Sequence, residues 1–379
     1  MKWPKVNGHL HTPYSFSAFD SLEHALEMAA TENVKIVGIN DFYTTAGYLE
    51  WHTGCAKRNL YPLYNIEFIS LQQEDQAKGI LVNDPNNPGR TYLSGKGQAS
   101  PPVLPEPFAS QLAGVLSETD SQIKAMCDKL NEVLEKIDAG FKLDIEQVRR
   151  ELTKGNIRER HLAKALRIAI YSHVKDDGAR ILLFEKLFSG KALKSELQDF
   201  AGVENEIRGN LLKAGGPAFV AEDPKAFLPM ADVQAIIMAG GGIPTYPFLA
   251  DDPEGHYTAF EEDLVKAAAT LKKRGFSSCE FISTRNDVTL LENYVTYLWE
   301  EGFVITLGTE HNTPVMEPVE PFARNNTPLT DRLQQINYQS ACVVAAHQEM
   351  YAREKRHYNP KCRQEYIDAG DKLIQSIIR

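Results

Sequence analysis

His9-Leu10-His11-Thr12-Pro13-Tyr14-Ser15 closes the first strand-like run of the chain, Lys5–His9, and sets two imidazoles one residue apart. Side chains alternate along a strand with a period of two, so His9 and His11 project on the same side. Two imidazoles so presented can grip one divalent metal. Two histidines satisfied by hydrogen bonds in a half-buried strand would show the same spacing, so an isolated HxH decides little. Its company decides more. Asn40-Asp41-Phe42 ends a second run (Lys35–Ile39), Asn65-Ile66-Glu67-Phe68 lies in a third (Leu63–Ile69), and Gly308-Thr309-Glu310-His311-Asn312-Thr313 follows a last one (Phe303–Leu307). Ionisable groups at one end of four strands converge on one pocket, and barrel enzymes carry their chemistry at the C-terminal ends of strands.

Outward from these motifs, further strands are predicted at Gly79–Val82, Gly242–Tyr246 and Ser278–Ile282. Helical periodicity at Ser21–Thr31, with Leu22, Ala25, Leu26 and Ala29 on one stripe, and at Asp263–Lys273 falls between strands. That alternation predicts parallel pairing, in a closed barrel or an open sheet. The chain then departs from it. A Pro/Gly/Ser-rich loop, Asp84–Pro107, leads into helices at about Ala109–Asp138, Ile145–Leu152, Arg158–Ser172 and Ala179–Phe188, and a helical tail begins at Thr330. The expected layout is a first barrel part at 1–83, a loop and helical insertion at 84–241, a second barrel part at 242–315 and a helical extension at 316–379.

Composition narrows the function classes. The 379 residues, 43% hydrophobic and 24% charged, suit a soluble protein with a sizeable core. A net charge of −10 argues against a broad surface for duplex nucleic acid but leaves room for a local basic pocket. The five scattered cysteines form no CxxC pair and read as reduced thiols of a cytoplasmic protein. No signal peptide is evident, and no segment approaches the roughly 20 apolar residues of a membrane span. Oligomeric state is not legible. There is no Walker loop, no Gly-x-Gly-x-x-Gly after a strand and no Gly-x-Ser-x-Gly elbow.

The strand-end motifs together resemble the polymerase-and-histidinol-phosphatase (PHP) family. His9 to Ser15 is similar to its HxHxxxS opening, Val37-Gly38-Ile39-Asn40-Asp41 to its Thr-Asp-His motif, Tyr64-Asn65-Ile66-Glu67 to its Gly-x-Glu strand, and Leu307-Gly308-Thr309-Glu310-His311 to its closing Gly-Ser-Asp-x-His. Gly155-Asn156-Ile157-Arg158-Glu159-Arg160-His161-Leu162-Ala163, Gly216–Val220 and Ala239–Pro244 resemble the nucleotide-hydrolysing branch of that family. The resemblance implies a distorted seven-stranded α/β barrel holding divalent zinc, manganese or iron, with one or two ions in this chain. It implies that His9 and His11 bind one metal, that Glu67 bridges or orients the attacking water, and that Asp20, Glu310 and His311 complete the metal ligands. Asp41 and Glu67 stand as the catalytic carboxylates.

The chain also departs from the family pattern. Phe42 replaces an imidazole, Thr245-Tyr246-Pro247 stands for Ala-His-Pro, no histidine lies in Gly79–Asn83, and Glu310 and His311 are adjacent. Arg158, Arg160 and His161, at a helix start, are candidate anion contacts or a solvated basic helix start. Arg285 could grip a phosphate or lie free in a loop. Tyr246 either contacts substrate or fills the space of a lost histidine. The expected function is a metal-dependent hydrolase, phosphoesterase-like, acting on a small phosphorylated or anionic metabolite. The alternatives are a single-metal lyase or aldolase-like enzyme on a sugar acid, and a barrel that binds a ligand without catalysis.

Overall fold

The computed structural model describes residues 3–252 and 254–378. Seven strands form one sheet in the order β1 (Lys5–Leu10), β2 (Val34–Phe42), β3 (Tyr61–Leu71), β4 (Arg90–Lys96), β5 (Ile243–Phe248), β6 (Ser278–Ile282) and β7 (Val304–Gly308). The sheet curls until Leu10 bridges Glu310, which nearly closes a barrel. Around it run α1 (Leu22–Thr31), α2 (Tyr48–Ala56), the short α3 (Gln73–Ala77), α4 (Phe108–Lys136), α5 (Ile145–Leu152), α6 (Glu159–His173), α7 (Asp177–Leu187), α8 (Phe200–Ile207), α9 (Met230–Ala239), α10 (Leu264–Lys273), α11 (Val288–Glu300), α12 (Asp331–Glu354) and α13 (Arg363–Ile378).

One strand differs from expectation. Gly79–Val82 is not a strand; Gly79 has φ +68°, and the run turns back toward β4. The fourth strand is Arg90–Lys96, inside the stretch expected to be loop, and it runs antiparallel to both β3 and β5. The connection matches this: a parallel crossover usually carries a packed helix, and between Leu71 and Arg90 the chain forms only the five-residue α3 before it turns back into β4. The two flanking groups, β1–β2–β3 and β5–β6–β7, are parallel as expected.

The first helix forms as its stripe requires. The Ser21 side chain accepts from His24 N–H as N-cap, and Leu22, Ala25, Leu26 and Ala29 are buried against β1 and β2. The helices from α4 to α8 enclose an apolar cluster of their own around Leu130, Leu134, Leu162, Leu166, Phe184 and Ile207. The C-terminal α12 seals the barrel seam. Asn337 accepts from Leu307 N–H and donates to Val6 O, and Ser340 accepts from Ile305 N–H, so polar groups along the seam between β1 and β7 gain partners that sheet pairing leaves open.

Candidate metal and anion site

Where β1 ends and midway along β3, three buried donor atoms face one another. His9 Nε2 and His11 Nε2 are 3.1 Å apart, and Glu67 Oε2 lies 3.5 Å from the first and 3.0 Å from the second. Gly308 makes the room: a Cβ there would stand 2.4 Å from His9 Cβ.

Neighbouring groups fix the two imidazoles. His9 Nδ1 is 2.9 Å from Glu280 Oε2, and a carboxylate can only accept, so Nδ1 carries a proton and Nε2 is the nitrogen turned inward. His11 Nδ1 lies 3.2 Å from Ser15 Oγ. That hydroxyl gives its own hydrogen to Asp41 Oδ1 at 2.6 Å, so it accepts from His11, and the His11 Nε2 lone pair points to the same spot. Such outer partners set the tautomer of a ligating histidine. Asp41 also accepts from Thr12 N–H at 2.7 Å and Thr12 Oγ1 at 2.5 Å. It is fully buried, burial raises its pKa, and it does not line the cleft.

Glu280 is held from below. Lys96 Nζ lies 2.5 Å from Glu280 Oε2, Ser94 Oγ donates to Glu280 Oε1, and both charged side chains are only 1% exposed. Burial would raise the Glu280 pKa, but Lys96 and His9 hold it well below the carboxylate range. Burial likewise pulls the His9 pKa down, yet Glu280 and Glu67 outweigh it and lift it to about 9. Glu67, against the same desolvation, is held at about 2 by the two imidazoles.

The donor set fits a divalent cation. Glu67 Oε2 is buried with no aligned hydrogen bond, although two imidazole nitrogens stand beside it. Donors about 2.0–2.1 Å from a tetrahedral ion lie ~3.3 Å apart, and the three separations here bracket that value. Glu310 is the fourth group whose ligand atom lies within 4.8 Å of the others. It also pairs with Arg285.

The other expected ligands lie elsewhere. Asp20 points to solvent, its side chain 84% exposed and 3.9 Å from Lys164. Glu310 and His311 both adopt left-handed backbone, at φ +71° and +60°. This turn brings Glu310 to the cleft while His311 faces Thr309 Oγ1 and Glu317 O, each at 2.9 Å, and stacks on Phe19. Of the two, only Glu310 joins the donor group.

Outside the triad opens a cleft of about 470 Å³. Six cations line it: Arg90, Arg158, Arg160, Arg208, Lys213 and Arg285. In a chain of net charge −10 this concentration is local and specific. Arg208 and Lys213 pair with Glu159 at 2.9 and 3.4 Å, and Arg90 pairs with Glu222. Among the described residues Arg158 and Arg160 have no carboxylate within 4 Å; their guanidinium groups lie over the rings of Phe42 and Phe16, at 4.6 and 5.7 Å from the ring centroids.

The segment that leads into α6 is docked against the barrel. Lys154 N–H and Asn156 N–H donate to Pro13 O and Tyr14 O, and Asn156 Nδ2 donates to Phe42 O at 2.7 Å. Only glycine fits at 155, where a Cβ would meet Tyr14 O at 2.4 Å. His161 does not enter the cleft. Its Nδ1 accepts from Arg158 N–H at 2.9 Å at the start of α6, and burial lowers its pKa to about 3. Tyr246 is also outside the cleft, buried against Phe260 and Phe276 with its hydroxyl donating to Glu261 at 2.8 Å.

Sequence reasoning missed Glu280, Lys96, Ser94, Arg90, Arg208 and Lys213. Glu280 alone carried a signal, a lone charge inside the apolar run Cys279–Ile282.

No protein-family model matches the chain, and no curated protein matches it in sequence. Solved structures do share its fold. A protein from Bifidobacterium adolescentis, provisionally named a metal-dependent phosphoesterase, superposes with a TM-score of 0.55 at 15% identity, over 88% of this chain and 95% of that one. An amidohydrolase from Chromobacterium violaceum, solved with bound sulfate and no metal, gives the same score and identity over 88% and 96%. At this identity the likeness is one of fold.

Proposed function

We propose that this protein is a diverged PHP-type barrel that hydrolyses a small phosphorylated or otherwise anionic metabolite with the help of a divalent ion. One observation carries the reading: three inward donor atoms, of His9, His11 and Glu67, stand at the floor of a cleft that also holds Arg158 and Arg160 without carboxylate partners within 4 Å. His9, His11 and Glu67 would hold the ion, with Glu310 available as a fourth donor. When bound, such an ion supplies Lewis acidity toward a phosphoryl oxygen and lowers the pKa of water.

The chain's own residues supply the rest. Glu280 and the Ser15–Asp41 pair keep both imidazoles in the ligating tautomer; Asp41 thus acts through His11 as a positioning residue. Arg158 and Arg160 bind the anionic group, and Arg285 is released to it if Glu310 turns to the ion. The names of the two similar structures, a phosphoesterase and an amidohydrolase, are consistent with a hydrolase.

The test is a panel of phosphoesters assayed with added manganese or zinc. Hydrolysis of a small phosphoester that disappears in the His9→Ala, His11→Ala variant is expected. Wild-type turnover that survives both substitutions, or chelation, would refute the proposal.

A further inference from the structure

Phosphoryl transfer by two ions needs both metals in place about 3.5–4 Å apart, and each needs its own ligands. Among the described residues, only His9, His11, Glu67 and Glu310 bring donor atoms together at the cleft, and Glu310 is shared with Arg285. Four donors suffice for one ion. The neighbouring carboxylates are committed elsewhere, Asp41 to Thr12 and Ser15 and Glu280 to His9, Lys96 and Ser94. Asn40 and Ser94 are spent on His9 and Glu280, and Phe42 is a hydrocarbon.

Phe42 has a different use. Its ring stacks on His11 at 5.0 Å with an interplanar angle of 21°, and the Arg158 guanidinium lies over the same ring at 4.6 Å. Arg158 and a metal-triad imidazole thus pack on the same aromatic ring, and Arg158 lines the cleft. A ligating side chain at position 42 would remove that platform. Among the described residues no carboxylate lies within 4 Å of the guanidinium, while its backbone N–H is tied to His161 and its segment to Phe42 O.

Resting on the hydrolase reading above, we infer that the centre takes a single divalent ion and that Arg158, seated on Phe42, provides the second positive charge that grips the substrate's phosphoryl oxygens. A planar guanidinium suits this role because its fork matches two oxygens of one phosphoryl group. The substrate class follows: a phosphomonoester has three non-bridging oxygens, enough for the ion and both arms of the fork, whereas a diester has only two and leaves one of them unmatched.

The test uses the full chain, loaded with manganese, as wild type, Arg158→Ala and Arg158→Lys. Bound ions per chain are counted by elemental analysis, and inorganic phosphate affinity is read by calorimetry. One ion per chain is expected in all three proteins. Phosphate affinity should fall about tenfold or more in Arg158→Ala, as for a lost charge-assisted hydrogen bond, with Arg158→Lys in between. Two ions per wild-type chain would overturn the inference, as would phosphate affinity in Arg158→Ala within threefold of wild type. If Arg158→Ala fails to fold, the Arg158→Lys comparison decides by the same criterion of intermediate loss. Neither readout involves turnover. One ion and Arg158-dependent phosphate binding, with no phosphoester hydrolysed, would refute the hydrolase reading and leave this inference standing.

Discussion

Glu280→Gln should be the most damaging conservative change in the barrel. The substitution keeps shape and volume but removes the charge that faces Lys96 and His9. In its absence the Lys96 ammonium, 1% exposed, is left with Gly8 O at 3.3 Å and Asn40 Oδ1 at 3.4 Å. Removing one partner of a buried pair costs about 3–5 kcal/mol, because the other charge remains buried and uncompensated. Set against a total stability of roughly 5–15 kcal/mol, that is a large share. Replacing both partners is different. Neutralising a buried pair with side chains of similar volume is often neutral, so Glu280→Gln combined with Lys96→Met should return to within ~1 kcal/mol of wild type. Urea unfolding at pH 7 in chelator, followed by tryptophan fluorescence (Trp51 is fully buried), measures this cycle. A metal titration of the same variants should show affinity about 10–100-fold weaker, since His9 loses the carboxylate that sets its tautomer. A Glu280→Gln loss under ~1 kcal/mol, or a double variant no more stable than the single one, would show that Lys96 does not depend on Glu280 for its compensation.

Other consequences are as direct. Ser15→Ala breaks the link from Asp41 to His11 and should weaken metal binding about 10–100-fold in a titration while lowering stability by only ~1 kcal/mol; unchanged affinity would show that His11 needs no such orientation. Burial lifts the Glu261 carboxyl to about 8 despite donors from Tyr246, Leu249 and Ala250. A carboxyl raised on folding contributes fully below its ordinary value of 4.5 and loses that contribution as pH rises through about 8. Wild type should therefore lose at least ~1 kcal/mol more than Glu261→Gln between pH 5 and 8.5, and parallel urea profiles would contradict this. Arg160→Ala should raise KM for a phosphoester several-fold with metal content unchanged; a fall in bound ions instead would place Arg160 in the metal centre's support.

The parts of the site that were legible are those whose chemistry is carried by unusual residues at strand ends. His9, His11, Glu67 and Glu310 announce themselves because imidazoles and carboxylates are rare at the end of apolar runs. What supports them is not legible, because it comes from strands far away in sequence: Ser94 and Lys96 on β4 and Glu280 on β6 meet His9 only once the sheet curls. β4 itself escaped notice because Arg90–Lys96 contains a glycine and two charges and sits between turn-forming stretches, whereas Gly79–Val82 shows a β-branched run too short to pair. Asp20 and His311 were misplaced for a local reason: a two-residue left-handed turn, or one more residue before a helix, redirects a side chain without changing the motif that suggested it. Tyr246 shows the opposite limit. Strand periodicity does not say which face looks inward, and this side chain belongs to the outer layer.

His9, His11 and Glu67 are proposed to form one metal centre. The most direct measurement is the ion content per chain of protein purified without chelator, resupplied with manganese or zinc and desalted, compared with the His9→Ala, His11→Ala variant. One ion per chain in wild type and none in the variant is the predicted result. No ion in wild type, or equal content in both proteins, would contradict it.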